Sequence, residues 1–272
     1  MTAAQRLDNA LAPWRVVRFD AIDSTNEEAR RRALAGDPGR LWIVADEQTA
    51  GRGRRGRVWI SLRGNLHASA LLIDPCPAPI APQLGFVAGV ALARAARDIG
   101  AAAVGLKWPN DLLSNGAKCA GILIESAVLA GRGAAFVVGV GVNCAQAPEG
   151  LDYAVACLAR ASGPTVSPGE LFERLAARFD ETLGEWRAGV AFESMRAAWL
   201  DCALGLGGPI VIENGGVKRE GVFEGIDANG RLLIRSGCGL ETVEAADLRI
   251  LPASDAPRAA SSDSRGGRGE FR

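Results

Sequence analysis

Residues 14–20 (WRVVRFD) alternate apolar and polar side chains, which predicts a strand over Trp14–Asp20. Ser24 and Glu27 stand at capping-box spacing, so a helix over Asn26–Ala35 follows, closed by the Gly36-Asp37-Pro38-Gly39 turn. Strands are predicted over Leu41–Asp46, Leu66–Ile73 and Val104–Trp108, and a long helix over Gln83–Ile99 after the Pro-rich stretch 75–82. Asn115-Gly116 has the composition of a type I′ hairpin turn. Cys119–Val128 and Ala134–Val142 are apolar enough to be buried strands, joined at Gly131–Gly133. Ser167-Pro168-Gly169-Glu170 supplies an N-cap, a proline at the first helical position and an acid at the third. Helices are expected over Pro168–Arg187 and Phe192–Leu200.

After Gly205 the texture changes. Short β-type runs (Ile210–Ile212, Val222–Ile226, Leu232–Ile234, Leu248–Leu251) alternate with turns at Asn214-Gly215, Asn229-Gly230 and Gly237–Gly239. About 45 residues of this pattern suit a small SH3-like barrel. Residues 253–272 are rich in Ser, Gly, Asp and Arg and are expected to form a disordered tail. The expected division is therefore 1–204, 205–252 and the tail 253–272, with no internal repeat.

The 272 residues are 48% apolar and 23% charged, an ordinary globular composition. Lys plus Arg and Asp plus Glu balance at 31 each, which argues against a polyanion-wrapping protein. Six scattered cysteines without a CxxC pair, and the single histidine His67, exclude a clustered zinc site and a histidine-based triad. With no N-terminal apolar leader and no run of about 18 apolar residues, the chain reads as cytoplasmic with reduced thiols and no membrane partner. Its chemistry falls to lysine and arginine.

Against that balance, Gly51–Arg57 (GRGRRGR) concentrates four arginines in seven residues. Gly51, Gly53 and Gly56 permit positive φ and exposed amides, while Arg52, Arg54, Arg55 and Arg57 offer planar donors for phosphate or carboxylate. Unliganded, these charges repel, so the loop is expected to be mobile until an anion binds. It is not a P-loop, and Val58-Trp59-Ile60 does not continue it as a Rossmann helix. A solvated basic loop or a nucleic-acid patch remains open from charge alone. Lys107-Trp108-Pro109-Asn110-Asp111 forms a second constellation at a strand end. Lys118 stands at the mouth of an apolar strand, and Gly139-Val140-Gly141-Val142-Asn143 lets backbone approach a flat ligand. His67 is expected to be packed on an alternating strand, and Trp59, Trp108, Trp186 and Trp199 to serve as core or stacking residues. Asp74 and Asp111 are too scattered to define a metal site.

The order of these motifs resembles the biotin protein ligases (biotin–[acetyl-CoA-carboxylase] ligases). Asp23-Ser24-Thr25-Asn26 comes first, then Glu47-Gln48-Thr49-Ala50 leading into the arginine loop, then KWPND, Lys118 with AGILIE, and GVGVN. The similarity runs from Trp14 to Leu251. It implies an α+β catalytic domain related to class II aminoacyl-tRNA synthetases, a mixed sheet with helices, followed by the SH3-like barrel. It also implies a two-step reaction: biotin and ATP, with Mg2+, give biotinyl-5′-AMP and pyrophosphate, and a lysine of the biotin carboxyl carrier protein then takes the biotin.

Carried over by motif, Ser24, Thr25, Asn26, Gln48, Gly51, Arg52, Gly53, Arg54 and Lys118 fall on biotin and the adenylate. Arg55, Arg57, Trp59, Asn110, Asp111 and Asn143 fall toward the nucleotide, and Lys118, Arg54 and Lys107 are the expected catalytic charges. No metal ligand is assigned. Only about thirteen residues precede the first strand, too few for a helix-turn-helix domain, so sequence-specific DNA binding is not expected, while a homodimer is compatible. The alternatives are a lipoate or octanoate ligase of similar fold and a non-enzymatic nucleic-acid-binding module.

Overall fold

The computed structural model describes residues 13–101, 103–158, 166–237 and 239–252. Seven strands form a mixed sheet: β1 (Arg15–Phe19), β2 (Leu41–Ala45), β3 (Leu66–Ile73), β4 (Val104–Lys107), β5 (Asp111–Ser114), β6 (Ala117–Leu129) and β7 (Gly133–Val142). Their spatial order is β1-β2-β3-β7-β6-β5-β4. Only β1 and β2 pair in parallel; the other neighbours are antiparallel. The parallel pair needs a crossover, and helix α1 (Thr25–Leu34) provides it. Ser24 caps α1, its hydroxyl accepting from the Glu27 amide at 3.4 Å. Asn115 and Gly116 take the φ values of 50° and 79° that the β5–β6 turn demands.

Because side chains alternate along a strand, the register assigns each residue to one of two faces. On one face Trp42, Ala68, Ala70, Leu72, Phe136, Val138, Val140 and Ile122 pack beneath helices α2 (Leu84–Asp98) and α3 (Pro168–Trp186). On the other, Leu41, Ile43, Leu71, Ile73, Ala135 and Val137 meet Ala29 and Ala33 of α1. Helix α1 covers only half of that face. β3 is nevertheless buried along its whole length rather than half-buried, which corrects the expected alternation around His67; Ser69 meets Thr25 and Asn26, and His67 lies against the Leu62 carbonyl. The stretch Ala78–Asp98 has mean hydropathy 1.2 and the length to cross a membrane, yet 72% of its apolar window is buried, as befits the core helix α2.

Helix α4 (Phe192–Leu200) leads into a five-stranded antiparallel sheet: β8 (Pro209–Asn214), β9 (Val217–Ile226), β10 (Leu232–Ser236), β11 (Gly239–Val243) and β12 (Asp247–Ile250). Its order is β11-β10-β9-β8-β12. β11 was not foreseen in the pattern, and β8 and β9 extend past the expected runs to a turn at Gly215-Gly216. The segment that leads into the second sheet is tied to β4 of the first, Leu106 donating to Cys202 at 2.7 Å and Leu204 to Leu106 at 2.8 Å. The Gly230 turn seats against Phe86 and Phe192; a Cβ there would lie 2.8 Å from the Phe86 ring. The expected tail, 253–272, lies outside the described residues, as does Cys238. The other five cysteines are free thiols.

Candidate active site

Beyond the N-terminus of α1 the covered face of the large sheet opens into a cleft of about 1360 Å³, walled on the far side by β8 and β12. Its floor follows from register. Ser69, Gly139 and Leu123 form one row across β3, β7 and β6; His67, Gly141, Gly121, Asp111 and Lys107 form the next. Glycines at the centre of these rows leave the floor without side chains. A Cβ on Gly139 would strike Asn26 Oδ1 at 2.2 Å, and one on Gly141 would strike the Trp59 indole at 2.5 Å. The flat group that approaches the glycines here is thus the protein's own Trp59. Lys118 Nζ lies 5.7 Å from the centres of both the Trp59 and the Tyr153 rings, a distance at which cation–π attraction acts.

One end of the cleft is polar and tightly wired. Ser24, Thr25 and Asn26 are all buried. Gln48 Oε1 accepts from the Thr25 amide at 2.8 Å and from its hydroxyl at 3.0 Å, and Gln48 Nε2 donates to Ser61 Oγ at 2.9 Å. Ser69 Oγ is 2.7 Å from Thr25 Oγ1 and 2.6 Å from Asn26 Oδ1, while Asn26 Nδ2 donates to Glu125 Oε2 at 2.7 Å. Buried polar groups require such partners. Ser69 and Glu125 escaped sequence reasoning as site residues. Ser69 carried the one available signal, a hydroxyl within an otherwise apolar run.

The other end is charged. Asp111 is buried and accepts ion pairs from Lys118 at 2.8 Å and Lys107 at 3.2 Å. Asn110 donates through Nδ2 to the Ile122 carbonyl at 2.8 Å, which fixes its Oδ1 to receive Arg54 Nη1 at 3.1 Å. Burial pulls the Arg54 guanidinium below its ordinary pKa. Burial also opposes charge on Arg52, but Glu125 and Glu27 outweigh it and leave that group raised.

The arginine loop is folded rather than splayed by repulsion. The Gly53 amide donates to the Arg57 carbonyl at 2.6 Å and the Trp59 amide to the Gly51 carbonyl at 3.0 Å. Of the three loop glycines only Gly56 uses positive φ (72°), joined by Arg55 at 56°. Gly51 is needed for close approach: a Cβ there would sit 2.5 Å from the Trp59 carbonyl. Repulsion is relieved by carboxylates. Arg52 pairs with Glu27 and Glu125, both at 3.2 Å, and Arg57 and Arg55 pair with Asp247 on β12 at 2.7 and 3.3 Å.

Ser24, Thr25, Asn26, Gln48, Arg52, Gly53, Arg54, Arg57, Trp59, Lys107, Asn110, Asp111 and Lys118 all line this one cleft. Gly51 packs against the Trp59 carbonyl, Ser61 and Gln48 without lining the cleft, and Arg55 turns away toward Asp247 and Asn214. Asn143 does not reach the main cleft. Its Nδ2 donates to the Ala156 carbonyl at 3.3 Å, and it borders a separate cavity of about 20 Å³ behind Trp59 and Lys118. Asp74 sits at the far end of β3, where a Cβ on Gly133 would meet its carboxylate, remote in the register from Asp111. Among the described residues no three His, Cys, Asp or Glu side chains are grouped to hold a metal ion.

Residues 19–143 match the model of the biotin/lipoate A/B protein ligase family. The chain is 40% identical over 240 residues to the biotin–[acetyl-CoA-carboxylase] ligase of Paracoccus denitrificans, covering 83% of this chain and 96% of that one. It is 30% identical to the bifunctional ligase/repressor BirA of Bacillus subtilis, covering 86% of this chain and 74% of that protein. Among solved structures it is similar to the biotin protein ligase of Aquifex aeolicus in complex with biotin and ATP. There the TM-score is 0.75 at 27% identity, covering 87% of this chain and 99% of the other.

Proposed function

The chain belongs to the biotin protein ligase family, and from that premise we propose how its cleft performs the ligase reaction. The protein is an ATP-dependent ligase: it activates biotin as biotinyl-5′-AMP and transfers it to a lysine of a biotin carboxyl carrier protein. The observation that carries the residue assignment is the division of one cleft into a wired polar end and a cationic end over a glycine floor.

In the first step a biotin carboxylate oxygen attacks the α-phosphorus of ATP and pyrophosphate leaves. Two anions must approach, so fixed positive charge lowers the barrier. Lys118, Lys107 and Arg54 supply it, oriented by Asp111 and Asn110. Arg52 and the backbone at Gly51 and Gly53 close over the biotin, and the Ser24-Thr25-Asn26 and Gln48 lattice meets the donors and acceptors of its ureido ring. Arg55, Arg57 and Trp59 serve the nucleotide side, and Asn143 supports the floor from beneath. In the second step a neutral lysine amine of the carrier attacks the acyl carbon, AMP leaves with the bonding pair, and the nitrogen's surplus proton passes to solvent. No protein nucleophile is required. Mg2+, which would arrive with the nucleotide, would screen the charge of the pyrophosphate leaving group; among the described residues no carboxylate cluster is grouped to hold it, and Asp111 already pairs with Lys107 and Lys118.

The second sheet is read as the SH3-like domain, 205–252, and the first as class II synthetase-like, 1–204. A cytoplasmic setting suits the free thiols and the substrates. A homodimer is compatible with this reading. The nucleic-acid reading is disfavoured because basic and acidic residues balance at 31 each, and Arg52, Arg54 and Arg57 line a cleft with Lys107 and Lys118 rather than an open basic surface. Biotin-dependent ATP–pyrophosphate exchange tests the whole reading. Biotin should stimulate exchange and lipoate should not, and stimulation by lipoate alone would overturn the substrate assignment.

A further inference from the structure

Asp247 occupies an unusual position among the carboxylates of the cleft. It belongs to the second sheet, yet both of its oxygens are taken by the arginine loop of the first: Oδ1 by Arg57 Nη2 at 2.7 Å and Oδ2 by Arg55 Nη1 at 3.3 Å. Arg55 Nη2 also donates to Asn214 Oδ1 at 3.3 Å. Asp247 opens β12 opposite Glu213 of β8, and Asn214 ends β8. The acceptors therefore sit on the adjoining ends of two paired strands, a firmer mount than a loop. Burial works against charge on Asp247, but its arginine neighbours, Arg57 foremost, keep the group ionised well into acid.

We propose that Asp247 is a positioning residue for the nucleotide step, its carboxylate holding Arg57 at the cleft and Arg55 beside it in the place of a triphosphate, and yielding them when nucleotide arrives. This rests on the ligase reading above. A carboxylate presents two oxygens to guanidinium forks much as a phosphate does. The side chains of Asp247, Arg55 and Arg57 are 44%, 40% and 56% exposed, so each pair is weak enough for a polyanion to displace. Together they gather a loop whose like charges would otherwise spread. The second sheet thereby senses the nucleotide without contacting the reacting atoms.

The test compares wild type, Asp247→Asn and Asp247→Glu. Removing the competing charge should lower KM for MgATP about three- to tenfold in Asp247→Asn, with kcat and KM for biotin held within about twofold, and Asp247→Glu should restore the wild-type KM. A purely structural role would not produce that split. In ligand-free protein, tryptic cleavage after Arg55 or Arg57 should be several-fold faster in Asp247→Asn than in wild type. Adding biotin with MgATP should erase the difference. An unchanged or raised KM for MgATP, or equal cleavage rates without ligand, would overturn the proposal. Should wild type show no biotin-dependent exchange, the ligase reading fails on its own. The tryptic comparison of ligand-free proteins would still decide whether Asp247 latches the loop.

Discussion

The two faces of the large sheet are built from the same strands and do opposite work. On the face under α2 and α3, Ala68, Ala70, Leu72, Phe136, Val138 and Val140 form an uninterrupted apolar layer. On the other, the same strands begin alike, with Leu71, Ile73, Ala135 and Val137 under α1. Two residues further along they change to Ser69, His67, Gly139 and Gly141. The change coincides with the first turn of α1, where Thr25 and Asn26 replace the alanines that pack deeper in. Apolar area must be removed from water to stabilise the fold, whereas a reaction cleft must stay open and polar. A strand meets both demands because alternate residues never compete for one space.

The sharpest way to separate the faces is to remove a charge from the open one. Lys118→Ala should lower the rate of biotin-dependent exchange by about 3–4 kcal/mol of barrier, two to three orders of magnitude, while its unfolding midpoint stays near wild type. On the closed face, Leu72→Ala should do the reverse, costing about 2–5 kcal/mol of stability in urea unfolding with little change in KM for biotin. Placing a methyl on the floor tests the border: Gly139→Ala meets Asn26 Oδ1 head on. It should cost about 1–3 kcal/mol of stability and weaken biotin binding in calorimetry, with KM for ATP less affected.

The smallest effect concerns His67, which is buried on the open face and whose pKa is lowered by burial. The unfolded chain takes up a proton near pH 6.5 while the folded one resists. Stability should therefore be complete above that pH and decline as pH falls toward the folded value. Thermal midpoints between pH 7.5 and 5.5 would show the slope, and His67→Gln should flatten it.

Much of this was legible in the chain. Strands covered on both sides are apolar runs, caps and Asn-Gly turns obey local chemistry, and KWPND with the arginine loop concentrates charge against a neutral background. The alternation assigned to β3 failed because small residues at Ala68, Ser69 and Ala70 are accommodated on both faces once a helix covers each. β11, with Leu240 exposed and a glycine at its start, has no periodic apolar signal to read. The partners of the site were hidden for another reason. Ser69 meets Asn26 from 43 residues away and Asp247 meets Arg57 from 190, and no local pattern encodes a contact at that distance.

Gly230 has a consequence for how the chain comes to be made. Its turn fits into a socket shaped by Phe86 and Phe192, with its carbonyl 3.4 Å from the Trp108 indole nitrogen. During synthesis that socket is finished before the plug exists, since Gly230 follows every residue that lines it. A ribosome-bound chain stopped short of the second sheet would carry two phenylalanine edges open to water, an adhesive spot in a crowded cell. The small sheet is thus a stopper as well as a wall, covering the Phe86 and Phe192 rings that its absence would expose.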